Sequence, residues 1–148
     1  MKLISIMSVI IILMMIQIAS ADEYTYSIGY APICKHFNND ENMNETNHGV
    51  FIAYDKWIAG TFNNSSYIQS WFIGRSYKTD KWGKDLYARL NMHIGLLYGY
   101  GDDMPDVGGW TIGIAPMIEI GYKQFVIETM INPITDGGVV SFLFKYSF

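Results

Sequence analysis

Apolar and polar residues alternate along much of this chain. In residues 139–148, one parity carries Val140, Phe142, Phe144, Tyr146 and Phe148, and the other Val139, Ser141, Leu143, Lys145 and Ser147. A β-strand puts the two sets on opposite faces. One face is then aromatic up to the final Phe, as suits a strand bordering lipid; a buried edge strand is the alternative. Residues 85–98 alternate as cleanly. Leu86, Ala88, Leu90, Met92, Ile94, Leu96 and Tyr98 oppose Asp85, Tyr87, Arg89, Asn91, His93 and Gly95. The first set suits lipid and the second a polar lumen. A soluble lipocalin-like barrel would turn the apolar set inward instead.

Turn signals divide the remainder into eight predicted strands: 24–36, 48–55, 57–63, 67–77, 85–98, 108–121, 125–131 and 139–148. The fold class expected is all-β, an eight-stranded antiparallel up-and-down barrel. An even strand number returns both termini to one side. The connections 37–47, 99–107 and 132–138 then fall at the opposite end, with 64–66 the short exception. Those near Asp55-Lys56, 78–84 and 122–124 lie beside the termini. Eight strands leave an interior that side chains fill or that holds one small ligand, not an open channel.

The N-terminus changes the picture of where such a barrel resides. Lys2, the apolar run Leu3 to Ile18 and Ala19-Ser20-Ala21 follow the order of a cleaved secretory signal. Residues 1–21 are therefore read as signal peptide and 22–148 as the barrel domain. Asp22, not Cys, follows the cleavage site, which argues against a lipoprotein anchor. No second long apolar run exists, so helical spans beyond the signal are excluded. The 148-residue chain carries 10 basic and 14 acidic residues. That balance argues against nucleic acid as a partner. Cys34 is the only cysteine, which excludes an internal disulfide and a cysteine metal cluster. His36, His48 and His93 lack metal-ligand spacing, and no cofactor or metal is expected. His93 reads as a satisfied lumen residue.

Pro32, Pro116 and Pro133 fall inside or at the ends of predicted strands. Each removes a ladder donor, and unpaired backbone facing hydrocarbon is costly. Such positions mark either lateral entrances for lipid or local bulges. A bulge at Pro32 would also reverse the face of His36, which otherwise shares parity with Tyr26 and Tyr30.

Several short pieces, in order, resemble the lipid A palmitoyltransferase (PagP) family of eight-stranded outer-membrane acyltransferases. They are Pro116-Met117-Ile118-Glu119-Ile120-Gly121-Tyr122, Phe125 to Pro133, Asn44-Glu45 before Gly49, Phe62-Asn63-Asn64-Ser65, and Pro32 ahead of His36. The chain lacks the amphipathic helix that precedes the first strand in that family, as do short relatives among bacteriophage proteins. The resemblance implies an outer-membrane barrel moving an acyl chain from phospholipid to lipid A, with phospholipid and lipopolysaccharide as partners. By position, His36, Asn64 and Ser65 stand where the family carries its catalytic His, Asp and Ser. Asn64 replaces the Asp, and an amide supplies no negative charge to an imidazolium. The family likeness also makes Pro32, Pro116 and Pro133 the lipid-access positions. Gly74, with Phe72 and Gly95 nearby, would belong to the floor of an acyl pocket. The aromatic end resembles that of bacterial outer-membrane barrels, which implies recognition by the outer-membrane assembly machinery. A monomer is expected. The rival reading is a non-catalytic outer-membrane barrel, host- or phage-encoded, that modifies the cell surface or blocks a receptor.

Overall fold

A computed structural model describes residues 26–37, 42–100, 105–134 and 137–148, apart from the side chains of 132–134 and 137. The expected signal 1–21 lies outside these residues. The strands are β1 (Tyr26–Ala31), β2 (Cys34–Phe37), β3 (Gly49–Tyr54), β4 (Trp57–Asn63) and β5 (Gln69–Lys78). They continue with β6 (Trp82–Gly83), β7 (Leu86–Tyr98), β8 (Trp110–Tyr122), β9 (Phe125–Ile134) and β10 (Gly137–Ser147). Neighbouring strands pair antiparallel in the order β1-β3-β4-β5-β7-β8-β9-β10, and β10 returns to pair with both β1 and β2. The result is a closed eight-stranded antiparallel barrel, in which β1 and β2 are two halves of one strand and β6 a short addition beside β7. Closure joins the first strand to the last, so the sheet has no free edge strand.

Two turns explain the tight end of the barrel. Asp55 and Lys123 adopt φ of 54° and 53° in the connections between β3 and β4 and between β8 and β9. Left-handed residues let two-residue hairpins follow the twist of their strands. These turns lie beside Tyr26 and Phe148, at what is called here the near end. The two longest connections, 38–48 and 99–109, lie at the far end.

The barrel's polarity is inverted relative to a water-soluble core. Glu119 and Glu128 are fully buried in the lumen, whereas Ile112 and Ile120 on the outer face are 65% and 51% exposed. Along β8, Ile112, Ile114, Ile118 and Ile120 point out while Gly113, Met117, Glu119 and Gly121 point in. β10 behaves likewise: Phe144, Tyr146 and Phe148 are exposed outside, and Leu143 and Lys145 are buried inside. Aromatic residues crowd both rims of the outer face. Tyr26 stacks on Tyr54 at 4.5 Å and Phe125 meets Tyr146 edge-on at 5.3 Å at the near end; Tyr98 packs on Trp110 at 5.1 Å at the far end.

The first strand shows why its alternation breaks. Tyr30 pairs with Phe144, but Cys34 pairs with Ser141, so three residues of this strand oppose two of β10. The extra residue is a bulge at Pro32-Ile33. Gly29 and Ala31 face the lumen before it, and Cys34 and His36 face inward after it. Proline has no N–H to lose there, which makes this the position where the ladder is most easily broken.

Candidate functional site at the far rim

His36, near the end of β2, and Ser65, in the turn after β4, come within hydrogen-bond distance: His36 Nε2 lies 2.9 Å from Ser65 Oγ. One strand separates their backbones. The segment 42–48 closes the gap by running between them. Cys34 N donates to Glu45 O at 3.0 Å, Asn44 N to Ser65 O at 2.8 Å, and Asn47 N to Pro32 O at 3.1 Å. Asn44 adds its side chain, Nδ2 donating to Asn64 O at 3.0 Å. The turn carrying Ser65 is therefore tied to the first strand through a connection between them in sequence.

Asn64 does not touch His36. Its Oδ1 accepts from Ser66 N and Ile68 N, both at 2.9 Å, and its Nδ2 donates to Gly99 O at 2.9 Å. This is the local side-chain-to-backbone capping that Asn supplies in turns, and it buries Asn64 almost completely. The Nδ1 of His36 is buried and has no hydrogen-bond partner among the described residues. The acidic group beside the pair is Glu45. Its carboxylate receives the Lys35 ammonium at 2.7 Å and the His36 backbone N–H at 3.4 Å. The hydrogen bond from Lys35 holds the Glu45 carboxyl below its usual range. Chemically, the far rim offers a hydroxyl with an imidazole in position to take its proton; among the described residues no carboxylate reaches the second ring nitrogen.

The three proline positions differ. At Pro32 the seam is bridged, since the loop donates to the Pro32 carbonyl and receives from Cys34. At Pro116 it is not. Pro116 pairs with Met92 of β7, but on the other side the β8–β9 ladder stops at Met117–Met130. The stretch Trp110–Pro116 thus runs to the far rim without a ladder partner on β9. Pro133 pairs through its backbone with Gly138 of β10; its side chain lies outside the described set. Gly74 faces Gly95 across a close strand contact, where a Cβ on Gly74 would stand 2.4 Å from the Ile94 carbonyl oxygen. The Phe72 ring lies over that contact, 2.7 Å from the same point. Phe51 and Phe62 stack beside it at 6.0 Å. Aromatic rings therefore fill the lumen on the far side of Gly74.

A second group of residues occupies the near half of the lumen: Arg89, Asn91 and His93 stand in the expected polar-lumen set, whereas the carboxylates that join them, Glu119 and Glu128, were not singled out from the sequence. Arg89 Nε and Nη2 reach Glu119 Oε1 at 2.8 and 2.7 Å, and Tyr87 Oη donates to the same oxygen at 3.0 Å. Lys145 and Asn91 donate to Glu128 Oε1, and His93 Nε2 lies 3.0 Å from Glu128 Oε2. His93 Nδ1 is 2.7 Å from Ser76 Oγ, so that ring is satisfied on both sides. Beside this network lies a cavity of about 730 Å³ whose wall includes Ser76, Lys78, Arg89, Glu119 and Lys145, but not Gly74. The signal for it was present in Ile118-Glu119-Ile120 and Ile127-Glu128, where a carboxylate takes the parity opposite to Ile.

The fold defines the class as a small closed β-barrel with a charged lumen and an apolar outer face. No family model and no curated protein matches the sequence.

Proposed function

We propose that this chain is a bacterial outer-membrane barrel that handles lipid, and that it transfers an acyl chain from phospholipid to lipid A at His36 and Ser65. The observation that carries the reading is the 2.9 Å contact between His36 Nε2 and Ser65 Oγ. The exposed apolar belt with aromatic rims supports membrane residence. The unpaired stretch of β8 beyond Met117 supports lateral lipid access. The near end faces the periplasm and the far rim the cell surface.

In this reaction Ser65 Oγ gives its proton to His36 and bonds to the acyl carbonyl carbon of the donor. The donor's ester C–O bond breaks, and the leaving alcohol takes the proton from His36. A lipid A hydroxyl then loses its proton to His36 and attacks the acyl-serine. Ser65 departs with that proton, so the pair is regenerated.

A second reading, a non-catalytic barrel at the cell surface, is favoured by two observations: the Asn64 amide is spent on its own turn and on Gly99, and His36 Nδ1 has no acceptor among the described residues. Mass spectrometry of lipid A separates the two. The chain is expressed in a strain lacking its own palmitoyltransferase. A new acylated species that vanishes in His36→Ala and in Ser65→Ala is the expected result. Unchanged lipid A from a folded, heat-modifiable barrel in the outer membrane removes the enzymatic reading and leaves the second.

A further inference from the structure

The His36–Ser65 reading makes no use of the near half of the lumen. The cavity there, about 730 Å³, is of the size that holds small molecules. Two groups on its wall are incompletely served. Glu119 is fully buried, and its Oε1 receives Arg89 and Tyr87. Its Oε2 has no hydrogen-bond partner among the described residues. Lys145 Nζ stands 3.6 Å from it and is bonded to Glu128 instead. Lys78, half-buried on the same wall, has no hydrogen bond or ion pair among the described residues. Buried polar atoms are nearly always paired, and a carboxylate oxygen without a donor is the costlier kind to leave alone.

We propose that this cavity binds a small zwitterion, whose ammonium donates to Glu119 Oε2 while its anionic oxygens take the Lys78 ammonium. A simple anion satisfies Lys78 and is repelled by Glu119; a simple cation does the reverse. A zwitterion satisfies both at once, in a lumen that already balances buried carboxylates against Lys145 and Arg89. Phosphoethanolamine carries both groups on a short tether, either free or as a phospholipid headgroup. The inference stands or falls independently of acyl transfer at the far rim.

Calorimetric titration of the folded full chain in maltoside micelles with phosphoethanolamine tests it. Saturable binding is expected, with inorganic phosphate or ethanolamine alone weaker by about tenfold or more, the worth of one lost charged hydrogen bond. Lys78→Gln should weaken phosphoethanolamine by a similar factor. Lys84→Gln, outside the cavity wall, should not. Lys78 is half-buried and unpaired, so its variant folds even if Glu119→Gln does not. Repeating the titration in vesicles of phosphatidylethanolamine and of phosphatidylglycerol distinguishes the source. Competition in the former alone marks the lipid headgroup; equal affinity in both marks the free compound. No saturable binding, equal binding of phosphate alone, or indifference to Lys78→Gln overturns the proposal.

Discussion

The two ends of the lumen are built from different chemistry. At the far end the contacts are single and mostly neutral. An imidazole meets a hydroxyl, an Asn caps its own turn, and three Phe rings fill the space. At the near end two fully buried carboxylates are shared among Arg89, Tyr87, Lys145, Asn91 and His93, which reach across β7, β8, β9 and β10. A neutral contact can be lost without leaving a charge behind. A buried ion pair cannot, because the surviving partner keeps its desolvation cost. Loss of one side chain is therefore costlier at the near end than at the far end.

The largest effect that would break this contrast comes from Lys145→Met. It strips the ammonium from Glu128 and from the vicinity of Glu119. A loss of about 3–5 kcal/mol is expected, as for other buried pairs deprived of one partner. Urea unfolding of the detergent-folded barrel measures it. Adding Glu128→Leu should recover part of that loss, because the stranded charge is removed too. A double variant no more stable than the single one would show that the network is not held by charge pairing.

Gly95→Val probes the boundary between the halves. A Cβ there would lie 2.1 Å from the Ile73 carbonyl oxygen, so the β5–β7 contact must open. Destabilisation of about 1–3 kcal/mol, the usual cost of overpacking, should appear in the same unfolding assay. Asn64→Ala is the matching test at the far end. It removes the acceptor for two turn amides and the donor to Gly99, costing about 1–3 kcal/mol. Exchange of the amides of Ser66 and Ile68 should rise while that of β7 to β10 stays slow. A uniform rise along the barrel would mean that the two ends are not separable.

The smallest effect is electrostatic. Glu45 has its carboxyl lowered from 4.5 by the hydrogen bond from Lys35. A depressed carboxyl stabilises the fold above its unfolded value, and the contribution disappears as pH falls through the folded one. The pair is exposed, so the effect is small and screened by salt. Wild type and Lys35→Ala should differ slightly in midpoint at neutral pH and coincide once Glu45 is protonated. A difference that persists in strong acid would assign Lys35 another role.

The barrel itself was legible because alternation is a local signal. All eight predicted strands are present, with β9 running on to Ile134 and β10 beginning at Gly137 rather than 139. β6, within the expected connection 78–84, was not legible; two residues beside β7 carry no periodicity. The satisfied-lumen reading of His93 rested on residue chemistry alone. The contact between His36 and Ser65 is different. It depends on segment 42–48 being stitched to both Pro32 and Ser65, a long-range arrangement that alternation does not encode. The charged network was missed because residues far apart in sequence become neighbours only when β7, β8, β9 and β10 come into register.

At the junction between β1 and β2, chain length carries information that residue identity does not. The strand holds two reading frames, one set from Tyr26 to Ala31 and the other from Cys34 onward, and the residue absorbed between them keeps the frames out of step. Removing one residue there would merge the frames and still leave His36 facing inward on a shorter strand. Forcing the full-length strand into one frame would instead turn His36 outward and bring Lys35 in. The one extra residue at this junction, rather than the identity of any side chain, is thus what lets His36 face the lumen on a strand whose earlier half turns Tyr26 and Tyr30 outward.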